Sequence, residues 1–281
     1  MSLVLVPTPL GNLRDITLRA LDALRSCDIV AAEDTRVARR LLSAHGITGK
    51  TLMRFDEHAS AGGIASLIEE ADAKNVAVVT DAGTPGISDP GTALVAAARA
   101  AGVPVEVLPG PVAFVCAAVL SGFALSPLTF EGFFPRAASA RRKAIADAME
   151  RGGATVWYES PHRIVPALQL LAQEVPAAHV FIVRELTKKF EQQVLGTPAE
   201  VLAALPTPPR GEFTLVLRGS GSALGEDAPP RDERTIDQRI DTMTAQGHGA
   251  AAIAKALSHE GHGERATLYA RATARRRKSD R

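Results

Sequence analysis

Three loops rich in glycine and proline follow short apolar runs in the first 111 residues. The longest is Thr80-Asp-Ala-Gly-Thr-Pro-Gly-Ile-Ser-Asp-Pro-Gly91, and the shorter two are Pro7-Thr-Pro-Leu-Gly-Asn12 and Leu108-Pro-Gly-Pro111. Glycine lets a backbone approach a ligand closely, and proline keeps a loop stiff. Such loops offer main-chain N–H and C=O groups rather than charged side chains. They favour an uncharged or zwitterionic adenosine-type ligand over a triphosphate, and the longest loop matches neither a Walker motif nor G-x-G-x-x-G.

The apolar runs before these loops predict strands buried on both faces. They are Leu3–Val6, Ile29–Ala32, Val76–Thr80 and Val105–Leu108. Helical patterns lie between them: we expect Asp15 to cap a helix that presents Leu18, Leu21 and Leu24 to the core. Alternation of strand and helix predicts a largely parallel, doubly wound sheet. Its loops would then meet at the carboxyl edge, where open α/β sheets bind ligands.

The pattern changes after about residue 120 and predicts a second α/β domain. Its predicted strands are Thr129–Phe133, Thr155–Tyr158, Val180–Val183 and Phe213–Leu217, and its predicted helices are Ala140–Glu150 and Pro161–Glu174. The expected organisation is an N-terminal α/β domain over 1–120, a C-terminal α/β domain over 121–220, a linker over 221–234 and a basic, helix-turn-helix-like tail over 235–281. The uncharged run Val107–Phe130 is interrupted by prolines, so we expect a buried core helix rather than a membrane span.

Composition excludes several classes of protein. The chain has 281 residues and a formal net charge of +1, so no global field indicates a nucleic-acid partner. Its two cysteines, Cys27 and Cys116, lie far apart, which argues against a disulfide scaffold or a cysteine zinc site. The seven histidines form no ligand pattern with carboxylates, and we expect no metal. The first residues lack a basic segment, so no signal peptide is expected and we predict a cytoplasmic protein.

Ordered sequence blocks carry a resemblance to a known family. They are Val6–Leu13, Ala32–Arg36, Thr80–Gly91, Leu108–Pro111, Phe130–Pro135, Tyr158–Arg163, Arg184–Lys188 and Pro209–Phe213. Because of these blocks, the chain resembles the tetrapyrrole (corrin/porphyrin) methylase superfamily. Within it, the blocks are similar to those of the branch that methylates the ribose 2′-OH of a cytidine in the decoding region of 16S rRNA. Because the blocks run in order from residue 3 to about 218, the match is more specific than any single loop.

The resemblance implies two α/β domains with S-adenosylmethionine (SAM) in the cleft between them, usually in a homodimer. By position in the family's motifs, the implied cofactor-binding residues are Pro9, Gly11, Asp81, Gly83, Thr84, Ile87, Gly110, Glu185 and Gly211. Thr84 stands where many relatives have Asp, as is usual in the ribosomal branch. Val112 stands where that branch often has Ser, so the hydroxyl contact is not expected here.

Three mixed acid–base clusters follow predicted strands and are candidates for catalysis. A sulfonium methyl is already activated, so the protein must align the acceptor and help a weakly nucleophilic hydroxyl. We select Asp34, Glu185 and Lys188 as catalytic candidates without choosing one base. The alternative for each cluster is structural: Asp34 as a helix cap, Glu185 in a salt bridge, and Ser160-Pro161 as a helix start.

Cationic residues near the predicted strand ends suit phosphate contact. The candidates for RNA contact are Arg36, Arg136, Arg141, Arg142, Lys143, His162 and Arg163. The alternative for Arg141–Lys143 is a solvated helix face. The tail segment Arg275–Lys278 is either another RNA anchor or a solubilising end. Because aromatic residues make up only 4% of the chain, we expect RNA to be read by shape rather than by base stacking.

The leading hypothesis is therefore a SAM-dependent methyltransferase acting on 16S rRNA in the small ribosomal subunit or a late assembly intermediate. The alternative within the superfamily is a tetrapyrrole (corrin/porphyrin) C-methyltransferase, which would not need the basic runs. A third hypothesis, a DNA-binding regulator built on the tail, leaves the loop Asp81–Gly91 without a role.

Overall fold

A computed structural model describes residues 1–56, 60–88, 91–220, 233–259 and 265–279. By packing, the chain divides into two compact units, Met1–Ser222 and Ala223–Arg281. The first unit contains two five-stranded sheets, and the second contains helices. The predicted linker lies mostly outside the described residues.

The first sheet is parallel throughout, as the alternation of strands and helices predicted. Its strands are β1 Ser2–Leu5, β2 Ile29–Ala32, β3 Thr51–Arg54, β4 Asn75–Val79 and β5 Val105–Val107. They are arranged in the order β3-β2-β4-β1-β5. Strand β1 lies between β4 and β5, with Leu5 opposite Val78 on one side and Val107 on the other. The loops after β1, β4 and β5 therefore leave the same edge of the sheet side by side.

Helices cover both faces of this sheet. They are α1 Leu18–Ser26, α2 Thr35–Ala44, α3 Ala61–Ala73 and α4 Thr92–Ala100. Leu24 of α1 and Leu41 of α2 pack on one face, together with Val30 of β2. Leu67 of α3 and Leu94 of α4 pack on the other face. Because both faces are covered, the inner strands are apolar after the first residues of β1 and β4, Ser2 and Asn75, which made them recognisable in the sequence.

Three expectations for this part of the chain were wrong. Strand β5 is not buried on both faces, since Glu106 and Val107 are exposed at the sheet edge. The cap of α1 is Thr17, whose hydroxyl accepts from the Ala20 N–H at 3.1 Å, whereas Asp15 lies in a preceding 3-10 turn. Leu18 is 80% exposed and does not face the core.

The second sheet is mixed and lies in the same unit. Its strands are β6 Leu128–Phe133, β7 Ala154–Glu159, β8 Val180–Arg184, β9 Gln192–Gly196 and β10 Phe213–Arg218, in the order β6-β7-β10-β8-β9. Only β6 and β7 pair in parallel. One face packs on α6 Ala138–Arg151, α7 Ile164–Glu174 and α8 Pro198–Ala203, around the buried Trp157.

Helix α5, Ala113–Ser121, covers the other face of the second sheet. Ala117 and Ala118 are fully buried there, whereas Val115, Val119 and Leu120 are exposed. The expectation of a fully buried helix is therefore wrong for one side of α5. None of the helices in the described ranges is long and apolar enough to span a membrane. The boundary at residue 120 remains a prediction, although α5 packs with the sheet that follows it.

The C-terminal unit contains α9 Glu233–Ala245, α10 Ala250–His259 and α11 Arg265–Ser279. Its small core includes Ile240, Ile253 and Leu257. Asp237 and Asp241 of α9 accept hydrogen bonds from Arg271 and Arg275 of α11, which lowers the pKa of both carboxyl groups. Residues 260–264, between α10 and α11, lie outside the described residues.

The start of β7 depends on a close backbone approach at Gly153. The Ala154 N–H donates to the Pro127 carbonyl at 2.9 Å, and a Cβ on Gly153 would lie 1.9 Å from that oxygen. We expect Gly153→Ala to break this contact and to lower the free energy of unfolding far more than Gly122→Ala. Gly122 also has a positive φ, but nothing lies within 4 Å of its missing Cβ.

Denaturant unfolding followed through Trp157, the only tryptophan, measures both variants. The expected loss for Gly122→Ala is about 1–2 kcal/mol, the cost of a left-handed conformation for alanine. Equal losses in the two variants would show that the contact with Pro127 has no importance.

Candidate active site

A cleft of about 450 Å³ lies between the carboxyl edge of the first sheet and the second sheet. Its lining residues from the first half are Leu10, Glu33, Asp81, Ala82, Gly83, Thr84, Ile87, Ser88, Val112 and Ala113. Those from the second half are Phe133, Tyr158, Glu159, Ser160, Pro161, Val183, Leu186, Glu212, Phe213 and Thr214. The size and the largely apolar lining are typical of a small-molecule site.

Hydrogen bonds join the three glycine- and proline-rich loops to one another. Thr8 and Gly83 exchange two backbone hydrogen bonds, of 2.9 and 3.1 Å, and the Thr8 hydroxyl donates to the Thr80 carbonyl at 3.1 Å. The Thr84 hydroxyl donates to the Pro111 carbonyl at 3.0 Å. The loops after β1, β4 and β5 thus form one cross-linked edge, as the sequence predicted from their placement.

Four of the predicted cofactor residues line the cleft: Asp81, Gly83, Thr84 and Ile87. Gly83 has a φ of +88°, a left-handed conformation that favours glycine. A nearby buried hydroxyl, that of Ser88, has no hydrogen-bond partner among the described residues. An unpartnered hydroxyl in a cleft wall provides a polar group for a ligand.

The other predicted cofactor residues do not line the cleft. Gly110 packs on the ring of Pro7, and Gly211 packs on the side chain of Glu185. Gly11 packs against the Cγ of Lys188, and Pro9 lies beside it in a neighbouring depression. The glycines allow these segments to pack closely, and the predicted cofactor contacts of these residues stay a prediction.

Asp34 has a structural position at the start of α2. Its carboxylate accepts from the Arg36 backbone N–H at 2.8 Å and from the Arg36 guanidinium at 2.6 Å. These hydrogen bonds hold the pKa of Asp34 well below its ordinary value, so the carboxylate is a weak base. The structure agrees with the alternative in which Asp34 is a helix cap.

Asp81 has the opposite character and faces the cleft. One of its carboxylate oxygens accepts from the Asp34 backbone N–H at 3.1 Å. Burial raises the pKa of Asp81 above its ordinary value, and repulsion from the Asp34 charge raises it further. A carboxylate with a raised pKa is a stronger base, and sequence reasoning had assigned Asp81 only to the cofactor.

Glu185 and Lys188 lie together in a turn after β8. The Lys188 ammonium donates to Glu185 at 2.9 Å and to Glu212 at 2.8 Å. Burial acts to lower the pKa of Lys188, but these two carboxylates outweigh it and raise the pKa above its usual value. Lys188 is therefore a cation at neutral pH and cannot serve as a base. Glu185 also accepts from the Glu212 N–H at 3.1 Å.

Of the predicted RNA contacts, Arg141 is turned inward. Only 11% of its side chain is exposed, and its Nε donates to the Pro135 carbonyl at 2.7 Å. Arg163 donates to the carbonyls of Phe134 and Pro135. Both guanidinium groups face the buried Glu159, at 3.9 Å from Arg141 and 3.3 Å from Arg163. Burial raises the pKa of Glu159. The burial of Arg141 argues against contact between its side chain and RNA.

The remaining predicted RNA contacts are exposed. Arg142 pairs with Glu174 and Lys143 with Asp147, both on the outer side of α6. Arg36 is exposed while it pairs with Asp34. Arg136 and His162 are also exposed; His162 directly follows Pro161 of the cleft lining, and Arg136 is three residues from Phe133. Arg36, Arg136 and His162 are thus exposed residues within three positions of cleft-lining residues, whereas Arg142 and Lys143 lie farther along the chain, in α6.

Sequence reasoning missed the aromatic wall of the cleft. Phe114 and Phe130 stack with ring centroids 4.3 Å apart, and Tyr158 contacts both Phe130 and Phe133 edge-on, at 4.9 and 5.9 Å. The Tyr158 hydroxyl accepts from the Phe114 N–H at 3.2 Å. The repeated phenylalanines at 130, 133 and 134 were the available signal, but the low overall aromatic content concealed their clustering.

Comparisons with known proteins agree with this architecture. Residues 2–203 match the family Tetrapyrrole (Corrin/Porphyrin) Methylases. The chain is 38% identical over 255 residues to ribosomal RNA small subunit methyltransferase I of Bacillus subtilis (strain 168), covering 90% of this chain and 84% of that protein. It is 36% identical over 273 residues to the protein of the same name from Synechocystis sp., covering 95% of each.

Solved structures show the same fold at low sequence identity. Diphthine synthase superposes with a TM-score of 0.65 and 16% identity, covering 78% of this chain and 90% of that chain. The methyltransferase CobJ superposes with a TM-score of 0.60 and 20% identity, covering 78% of this chain and 94% of that chain. The sequence match and the fold agree: the chain belongs to the tetrapyrrole (corrin/porphyrin) methylase family.

Proposed function

We propose that this protein is a SAM-dependent methyltransferase that methylates the 2′-OH of a cytidine ribose in the decoding region of 16S rRNA. The observation that carries the proposal is the similarity, over nearly the whole chain, to proteins named ribosomal RNA small subunit methyltransferase I. The cross-linked loops and the cleft they line support a methyl-donor site. The superfamily's tetrapyrrole activity is the alternative.

The cleft suits SAM because it offers main-chain groups and apolar surface rather than a cluster of cations. Residues that would hold the cofactor are Asp81–Thr84, Ile87, the Ser88 hydroxyl and the start of α5 at Val112 and Ala113. When bound, SAM supplies an activated methyl group. The stiff loops would fix its orientation, so that an acceptor entering between the sheets meets the methyl in line.

Acceptor activation requires a group that takes the hydroxyl proton. The pKa of Asp81 and that of Glu159 are both raised, but Glu159 is buried beside two arginines. We propose Asp81 as that base, because it is exposed in the cleft and the Asp34 N–H fixes its position. Asp34 would then act through Asp81 rather than on the substrate. Lys188 stays protonated between Glu185 and Glu212, and we propose that this trio positions the Glu185–Lys188 turn at the cleft.

A substrate RNA would approach the rim where Arg36, Arg136 and His162 are exposed. The C-terminal unit supports an RNA partner as well. Helices α10 and α11 contain one and six Lys or Arg residues respectively and no Asp or Glu.

An rRNA substrate is consistent with the predicted cytoplasmic location, and the exposed apolar side of α5 is consistent with the predicted homodimer.

The direct test is methyl transfer from labelled SAM. The acceptors are small ribosomal subunits from cells that lack this protein, and a tetrapyrrole precursor in a parallel reaction. We expect label in 16S rRNA, at a ribose 2′-OH of one decoding-region cytidine. Label in the tetrapyrrole alone would refute the proposed function.

Ile87 provides a test of the cofactor site. Its side chain is 42% exposed in the cleft, so truncation removes apolar contact with the ligand at little cost to folding. We expect Ile87→Ala to weaken SAM binding by about tenfold, measured by calorimetry, from the lost burial of three carbons. Leu18→Ala, an exposed apolar residue outside the cleft, is the control and should not change the affinity. Unchanged binding by Ile87→Ala would remove Ile87 from the site.

The pH dependence tests Asp81. A base must be deprotonated, so the rate of methyl transfer should fall as the pH drops through the raised pKa of Asp81. Asp81→Asn keeps an oxygen to accept from the Asp34 N–H but removes the base. We expect that variant to lose at least a hundredfold in kcat, together with the acidic limb of the profile. An acidic limb that persists in Asp81→Asn would assign the titration to another group.

A further inference from the structure

We propose that the exposed ring of Phe133 is the stacking surface for the nucleobase of the acceptor nucleotide. The proposal rests on the proposed RNA substrate and adds a base-binding subsite to the same cleft. Phe133 is 56% exposed, lines the cleft and contacts Tyr158 edge-on. More than half of Phe133 is thus open to solvent, in the wall of the cleft that an acceptor ribose would enter.

A β-bulge in β6 directs Phe133 into the cleft. Phe130 pairs with Val156, and Phe133 pairs with Tyr158, so three steps along β6 correspond to two along β7. Gly132, whose φ is +68°, lies within this bulge. In a regular strand, Phe130 and Phe133 would point to opposite faces of the sheet. The bulge instead places both rings against Tyr158, on the cleft side.

The backbone that follows this ring is fixed. The next residue, Phe134, is buried against Trp157 at 5.2 Å, and its N–H donates to the Tyr158 carbonyl at 3.0 Å. Arg163 donates hydrogen bonds to the backbone carbonyls of Phe134 and Pro135, and Arg141 donates one to the Pro135 carbonyl. A ring on a fixed backbone loses little conformational entropy when a base stacks on it.

A nucleobase fits this surface better than a second apolar protein segment, because the ring lies in the wall of the cleft that would hold the methyl donor. The ribose hydroxyl that receives the methyl must come within reach of that donor. Its attached base is then removed from the stack of the RNA, and proteins commonly place such bases on aromatic side chains. The proposal departs from the expectation that RNA is read by shape rather than by base stacking, because four aromatic rings cluster around Tyr158 and Phe133 lines the cleft.

The test compares four variants for methyl transfer to small ribosomal subunits from cells lacking the protein. We expect Phe133→Ala and Phe133→Leu to raise KM for the subunits on the order of tenfold, and Phe133→Tyr to retain activity, because stacking requires a ring. Phe190→Ala is the matched control, since Phe190 is 67% exposed and is not part of the cleft lining. Calorimetry with SAM checks that each variant is folded and binds cofactor normally.

Three results would overturn the inference. The first is Phe133→Leu with the KM of the original protein, which would show that a ring is not required. The second is a loss of SAM affinity in Phe133→Leu, which would make Phe133 a cofactor contact. The third is a change in oligomeric state by light scattering, which would make it an interface residue. If the original protein transfers no methyl to the subunits, the proposed function fails instead.

Discussion

The cross-linking of the three loops at the edge of the first sheet is the constraint on which the site depends. Thr8 and Gly83 form a two-hydrogen-bond bridge, and Thr84 reaches the Pro111 carbonyl. The loop after β1 also meets the second sheet, because the Asn12 N–H donates to the Thr187 hydroxyl at 3.2 Å. Since each of these bonds has a main-chain partner and none uses a charged side chain, the cleft wall keeps its shape while leaving room for a ligand. Stiffness here replaces the charged side chains that phosphate sites use.

Charged groups around the cleft are mostly committed to one another. Asp34 is held by Arg36, Lys188 by two carboxylates, and Glu159 by two arginines. These pairs fix turns and loops. The proposed base is Asp81, a carboxylate whose pKa is raised. The aromatic residues of β6 and its end also have separate roles. Phe134 is buried and fixes the strand, whereas Phe133 is exposed.

Much of the fold could be predicted because buried parallel strands have a plain signature. Ile29–Ala32 was placed correctly from its continuous apolar run. Strands β3 and β9 were missed because they are short and partly exposed, and β9 begins Gln192-Gln193. The loops were recognised as a site from their composition and their position after strands.

The side-chain roles were harder to predict because they depend on partners distant in the sequence. Arg141 looked like part of a surface charge run, and only its proximity to Glu159 shows that it faces inward. The pairing of Glu185 with the Glu212 backbone spans 27 positions, and Phe114 meets Tyr158 across 44. Neither spacing nor composition contains that information, since burial and hydrogen-bond geometry are set by the packing of the two sheets.

The most direct measurement of the central claim is a crystal structure of the protein with S-adenosylmethionine bound. We expect the cofactor in the cleft, against the backbone of Asp81–Thr84 and the start of α5 at Ala113, with its methyl group toward the aromatic wall. A cofactor bound at another surface, or in the cleft without contact to these loops, would contradict it.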